Sequence, residues 1–362
     1  MAVSQRERAQ RKCREKEALS FPFSTPQASG QVVEVAKGVL WARMPMPMAL
    51  NHVNVYLLRD DDGWWLIDTG LNSEQSQQAW ELIAAQQIDG LPFKALVCTH
   101  FHHDHAGLAH WLMERFNLPL YMSYGEYFTM RALASDKAAP IQDDQKGFFA
   151  RAGMPAPDID HMFEKLRNYP FNPPCPQAFR RLRENDELSI GGRRWRVIVG
   201  GGHSPEHVCL YCAEDKLLIA GDQVLPEISS NVLVSDIQPE ADPLKDWLAS
   251  LDRLDALAPD TLVMPSHGEV FRQLPERLQQ LREHHSRQFD LVMALAVRSP
   301  GFTAFEAMNC LFPQQLSAME QLMALGEAIA HLNWLRREGR LIRRQRSDID
   351  NFYPAGTTPT SA

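Results

Sequence analysis

Seven consecutive residues, Thr99-His100-Phe101-His102-His103-Asp104-His105, concentrate the chemistry of this chain. They place three histidines and a carboxylate in the spacing His-x-His-x-Asp-His. Imidazole and carboxylate are the ligands that borderline and hard divalent metals take. In so short a stretch the side chains can divide between two metal ions. The apolar run at residues 93–98 predicts a short buried strand, and the pattern at 106–116 predicts a helix. The ligands therefore fall in a strand-to-helix turn at the end of a sheet, a common place for a site. An isolated histidine is ordinarily a core or surface residue. Four ligand-type residues at this spacing, behind an apolar strand, point to a metal.

A metal needs three or four protein ligands, so others must come from elsewhere. Three places qualify. His203 sits in Gly200-Gly201-Gly202-His203-Ser204-Pro205-Glu206-His207, after the strand-like residues 195–199. Asp222 ends Leu217-Leu218-Ile219-Ala220-Gly221-Asp222, and His267 lies in Leu262-Val263-Met264-Pro265-Ser266-His267-Gly268. Each follows an apolar β-type run, so all three side chains can project from one sheet edge.

These motifs, with Asp68 in Leu66-Ile67-Asp68-Thr69-Gly70 ahead of them, resemble the metallo-β-lactamase-fold hydrolase superfamily over roughly residues 31–270. The resemblance implies a four-layer αββα sandwich of class α/β (α+β). It implies that His100, His102 and His203 bind one metal, that Asp104, His105 and His267 bind a second, and that Asp222 bridges them. Asp68 would support the ligands by hydrogen bonding. The implied cofactors are two divalent metal ions, Zn2+ foremost, with Fe or Mn as alternatives. Such ions, about 3.5–4 Å apart, share a bridging hydroxide that is available at neutral pH and attacks a carbonyl carbon or a phosphorus. Asp104 is the expected catalytic residue, orienting the hydroxide or accepting a proton.

Composition is consistent with that reading. The 362 residues permit one large domain and a smaller one, and 44% hydrophobic content is ordinary for a globular chain. A net charge of −8 argues against a generally nucleic-acid-binding surface. No apolar run approaches the roughly 18–20 residues of a membrane span. Residues 1–17 are charged throughout and lack an apolar signal core, so a cytoplasmic location is expected. The CxxC at Cys209 and Cys212 falls in a strand-like run, where residues three apart face opposite ways, so a redox or zinc role for it is not expected.

Four parts can be drawn along the chain. Residues 1–30 form a polar extension, expected to be a frayed or docked solvated helix. Residues 31–270 form the catalytic domain. Within it, residues 121–180 form a helical insertion rich in aromatics, including Tyr124, Tyr127, Phe128, Phe148 and Phe149. It is read as a lid or pocket wall for an apolar part of the substrate, or else as helices packed by those aromatics. Tyr124, Tyr127, Ser229 and Asn231 are candidate substrate contacts. His207, four residues after His203, is a candidate support for the ligands.

Residues 271–362 predict three helices and a hairpin, which resembles the winged-helix-like module of the β-lactamase-like protein 2 subgroup. Six arginines cluster there: Arg336, Arg337, Arg340, Arg343, Arg344 and Arg346. The favoured function is two-metal hydrolysis of a small acyl substrate, a thioester or lactone. The alternatives are a phosphodiesterase or endoribonuclease that holds RNA through the arginines and, behind it, an iron oxygenase on the same fold. The expected partner is a small-molecule substrate, with no membrane and a homodimer as a possibility.

Overall fold

The computed structural model describes residues 5–47, 50–135, 143–167 and 174–356. In chain order these form α1 (Gln5–Glu17), β1 (Val32–Ala36), β2 (Val39–Pro45), β3 (His52–Asp60), β4 (Gly63–Ile67), α2 (Glu74–Gln86), β5 (Phe93–Val97), α3 (His103–Ala106), α4 (Ala109–Phe116), β6 (Leu120–Ser123) and α5 (Tyr124–Ser135). Then come α6 (Asp143–Arg151), α7 (Ala156–Arg167), β7 (Arg180–Leu182), β8 (Glu187–Ile190), β9 (Arg193–Gly200), β10 (His207–Cys212) and β11 (Leu217–Gly221). The chain closes with α8 (Pro243–Leu254), β12 (Leu262–Pro265), α9 (Leu274–Arg298), α10 (Ala304–Leu311), α11 (Ala318–Arg337), β13 (Leu341–Arg346) and β14 (Ile349–Pro354).

The chain divides into two compact units. The first comprises residues 1–137, 171–230 and 250–280, and the second 138–170, 231–249 and 281–362. The first unit holds two sheets, one ordered β1-β2-β3-β4-β5-β6-β7 and the other β12-β11-β10-β9-β8. β1 to β4 run antiparallel, whereas β4 to β7 pair in parallel. β3 shows why these segments are strands. Its side chains alternate between faces with period two. Val53, Val55 and Leu57 pack with Trp80, Ile83 and Leu112 on the helix side, while Tyr56 and Leu58 join a second core. That second core brings Trp41, Ile67 and Val97 together with Trp195, Val208, Leu210, Ile219 and Met264 of the other sheet. Both faces of the first sheet are therefore apolar, as the near-continuous hydrophobic strand sequences require.

Local signals were followed closely. Gly191 and Gly192 join β8 to β9 with φ of 59° and 74°, the two-residue turn that positive-φ glycines allow. A Cβ on Gly191 would also lie 2.1 Å from the Arg59 carbonyl oxygen. One expectation is revised at the first motif. The helix begins at His103 rather than Ala106, so His103, Asp104 and His105 occupy a helical turn of their own before Gly107 and α4. Polar α1 is docked: Lys16 pairs with Glu227 at 2.7 Å, and Gln280 donates to the Glu15 carbonyl.

The second unit contains α6, α7, α10, α11 and the antiparallel pair β13–β14. α7 packs on α11, and α6 on β14. The middle of the 121–180 stretch thus groups with the C-terminal segment. Phe148, Phe149 and Met154 are buried there, so these side chains pack the unit. Six of the predicted insertion's residues, 168–173, and seven others, 136–142, lie outside the described residues. Capping boxes start α10 at Thr303 and α11 at Ser317. Among the described residues no helix is long and apolar enough to cross a membrane.

Candidate metal centre

The strands of the first unit end at the ligand-type residues. β4 runs into Asp68, whose φ of 62° turns the chain sharply and leaves its carboxylate buried. That carboxylate accepts from Thr99 N at 2.7 Å through Oδ1. Its Oδ2 accepts from Thr99 Oγ1 at 2.8 Å and His105 Nδ1 at 2.8 Å. Thr99 has a single hydroxyl proton, and Asp68 takes it, so His100 Nδ1, 3.0 Å from Thr99 Oγ1, is the donor in that pair. The same logic protonates His105 at Nδ1. His267 donates from Nδ1 to the His52 carbonyl oxygen at 2.9 Å. In all three rings the proton is drawn outward to Nδ1, which leaves the Nε2 lone pair for a metal.

Those lone pairs converge. His100 Nε2 lies 2.8 Å from His102 Nδ1 and 3.2 Å from His203 Nε2. Asp222 presents its two oxygens to two sets of rings: Oδ2 is 3.4 Å from His203 Nε2, while Oδ1 is 3.6 Å from His105 Nε2 and 3.5 Å from His267 Nε2. Asp104 Oδ2 closes the second set, 3.4 Å from His105 Nε2 and 3.2 Å from His267 Nε2. The ligand atoms form two clusters, His100–His102–His203–Asp222 and Asp104–His105–His267, each within 4.8 Å.

Buried His105 Nε2 and Asp222 Oδ1 have no hydrogen-bond partner, although they lie 3.6 Å apart, so two acceptors face each other with no donor between them. Orphaned buried acceptors of this kind are costly, and a cation satisfies them. The residues present therefore fit metal ions. Electrostatics agree. Burial, then neighbouring rings, push the pKa of His100 well below the usual imidazole value. Burial and His203 bring His102 to about 3. Both are neutral and ready to ligate. The second cluster differs: burial opposes charge on His105 and His267, but Asp104 and Asp222 outweigh it and raise both rings, which in turn hold the Asp104 carboxylate well below its ordinary range, so a cation there would take the place of ring protons.

Several supporting residues surround the cluster. His207, fully buried, accepts from Asp222 N at 3.1 Å, so it braces the backbone that carries Asp222. A Cβ on Gly221, where φ is 52°, would lie 2.5 Å from the His207 ring. The fully buried Glu126, at the start of α5, was not singled out from the sequence. Its carboxylate accepts from Phe101 N at 3.0 Å, Ser204 Oγ at 2.7 Å and Glu206 N at 2.7 Å. It thereby ties the loop of His100 and His102 to the loop of His203. A single glutamate in a helical run carries no spacing signal that would have found it. On the other side, His52 Nε2 accepts from Gly268 N, and Asn54 donates to the Pro265 and Gly268 carbonyls.

The candidate substrate residues are placed less uniformly. Tyr124 is half exposed, its ring tilted 43° against that of exposed Phe128 with centroids 4.5 Å apart. Tyr127 is buried, donates to the Pro176 carbonyl oxygen and stacks on Phe179, which is a packing position. Ser229 is half-buried, while its neighbour Ser230 bonds to the Asp222 carbonyl oxygen. Asn231 falls in the second unit.

Residues 49–267 match the description "Metallo-beta-lactamase superfamily". The chain belongs to that superfamily. Residues 289–355 match its "Metallo-beta-lactamase-like, C-terminal domain". A beta-lactamase domain protein from Burkholderia ambifaria of known structure is 41% identical, with a TM-score of 0.88, covering 94% of this chain and 100% of that one. The probable metallo-hydrolase YqjP of Bacillus subtilis (strain 168) is 28% identical over 83% of this chain and 92% of its own length. A beta-lactamase-like protein 2 homolog of Drosophila melanogaster is 25% identical over 88% of this chain and 92% of its own length. For this metallo-beta-lactamase superfamily chain, the mixed α/β fold and the appended C-terminal region are those of the family.

Proposed function

We propose that this chain, a metal-dependent hydrolase by family, works through two metal ions on a small acyl substrate, a thioester or lactone. One observation carries the two-ion reading: the two oxygens of Asp222 face separate ligand clusters, Oδ2 toward His203 and Oδ1 toward His105 and His267. His100, His102 and His203 would hold one ion. Asp104, His105 and His267 would hold the other, with Asp222 shared. Bound ions of this kind lower the pKa of water and polarise the substrate oxygen.

The protein's own groups supply the remainder. Asp68, the His52 carbonyl and Thr99 fix the ring tautomers, so no reorientation is needed on binding. Asp104, kept ionised and partly open to solvent, would orient the attacking water and accept its proton. The exposed Tyr124–Phe128 pair lies on α5, the helix whose Glu126 holds both histidine loops. An exposed aromatic pair on that helix is the apolar surface on which the acyl reading rests. Zinc is the expected metal for a set of imidazoles and carboxylates, with iron or manganese as alternatives.

The test is thiol release from a panel of acyl thioesters by zinc-loaded protein, with Asp104→Asn beside it. Asp104→Asn is expected to lose at least about 100-fold in turnover with unchanged circular dichroism. Full turnover by that variant sinks the assigned role of Asp104. Cleavage of phosphodiesters in place of thioesters replaces the substrate class.

A further inference from the structure

The second unit buries its own set of metal-type side chains, separate from the centre above. His284 and His285 lie on α9, and Glu327 and His331 on α11. One ligand atom each of His284, His285 and Glu327 fall within 4.8 Å of one another. His285 and His331 are fully buried, Glu327 is 8% exposed, and His284 is half-buried.

The hydrogen bonds fix the ring tautomers. His331 Nδ1 donates to the Glu327 carbonyl oxygen at 2.8 Å. With the ring proton on Nδ1, His331 Nε2 is an acceptor. The donor at 3.1 Å is then His285 Nδ1. This leaves a bare lone pair on His285 Nε2, which is buried and has no hydrogen-bond partner. The Glu327 carboxyl belongs to the same group of ligand atoms. The Trp247 ring at 4.9 Å and the Phe289 ring against His331 keep the imidazoles in place. A buried acceptor without a donor, such as His285 Nε2, costs free energy, and a cation removes that cost. Two imidazoles and one carboxylate are three protein ligands, a set that zinc and its neighbours accept.

We propose that His284, His285 and Glu327 bind a divalent transition-metal ion that pins α9 to α11, independently of the hydrolytic centre. His331 acts as the orienting residue, since it takes the outer N–H of His285 as the supporting partner of a metal-bound imidazole does. The competing arrangement is a neutral His285–His331 pair beside a protonated Glu327 with no ion.

Zinc itself is the probe. Full-length protein is loaded with zinc, dialysed, and its zinc counted by mass spectrometry, with affinities read by competition against a zinc-binding dye. The expected result is about one zinc equivalent fewer in Glu327→Gln than in wild type. In His284→Ala, a less buried position, the same equivalent should bind at least about tenfold more weakly. Circular dichroism checks that each variant is folded, and His284→Ala decides if Glu327→Gln is not. Equal zinc content and equal affinities in wild type and folded variant overturn the site.

Discussion

Two carboxylates that need touch no substrate organise the candidate centre. Asp68 and Glu126 each accept three hydrogen bonds, Asp68 from Thr99 and His105, Glu126 from Phe101, Ser204 and Glu206. Glu126→Gln keeps the shape of the side chain but sets an amide donor against a backbone or hydroxyl donor. It is expected to cost about 1–3 kcal/mol by urea unfolding. It is also expected to lower kcat about 10–100-fold with a smaller change in KM, because it displaces ligands rather than the substrate surface. Unchanged zinc affinity and kcat in a folded variant would show that Glu126 only packs. At this scale the sequence was informative in proportion to spacing. His100, His102, Asp104 and His105 announce themselves by repetition, and His203, Asp222 and His267 by their place after apolar runs. Glu126 and His52 lack such a pattern, and only folding brings them to the ligands.

Elements are held by turns and caps whose strength can be measured. Asp60, at the end of β3, accepts from Lys94 Nζ at 2.6 Å and from Gly191 N at 3.0 Å, which ties the β3–β4 turn to the β8–β9 turn. Burial opposes its charge, but Lys94 and the Gly191 amide outweigh it and bring the carboxyl to about 2. An unfolded aspartate titrates near about 3.9. The folded value is the lower one, so the contribution of Asp60 is full above about pH 4 and is lost as pH falls through about 2. In chelator-treated protein, Asp60→Asn should therefore flatten the fall of the urea midpoint between about pH 4 and pH 2. A profile identical to wild type would remove Asp60 as the cause. In the second unit, Ser317 caps α11 in a reciprocal box with Glu320. Ser317→Ala should destabilise that unit by about 1 kcal/mol, seen as a lower denaturant midpoint. The capping residues, the Gly191-Gly192 turn and the β-type periodicity were all legible locally, because each acts over a few residues. The early start of α3 was not, because histidine and aspartate are weak helix formers.

For the whole molecule, the question is whether the arginine-rich C-terminal segment grips phosphates. Glu240 meets Arg336 and Arg343, Asp242 meets Arg337 at 3.6 Å, and Asp350 meets Arg343 at 3.6 Å. Three of the six arginines are thus engaged by acids of their own unit, within a chain of net charge −8. Single-stranded RNA is expected to bind weakly at physiological salt by fluorescence anisotropy, with no loss on Arg344→Glu. A steep salt dependence, the mark of several neutralised phosphates, would reinstate the ribonuclease reading.

The sequence by itself determined the residue types of the candidate ligands, their order and the strands that precede them, because apolar periodicity and residue spacing are local properties. The resemblance carried by five ordered motifs determined the family. Tertiary structure alone decided that Asp222 faces two clusters, that Glu126 joins two histidine loops, and that residues 148–154 pack into the C-terminal unit. It alone joined His285 on α9 to Glu327 and His331 on α11. These are contacts between residues tens to more than a hundred positions apart, which depend on how sheets and helices stack. No local pattern encodes that stacking.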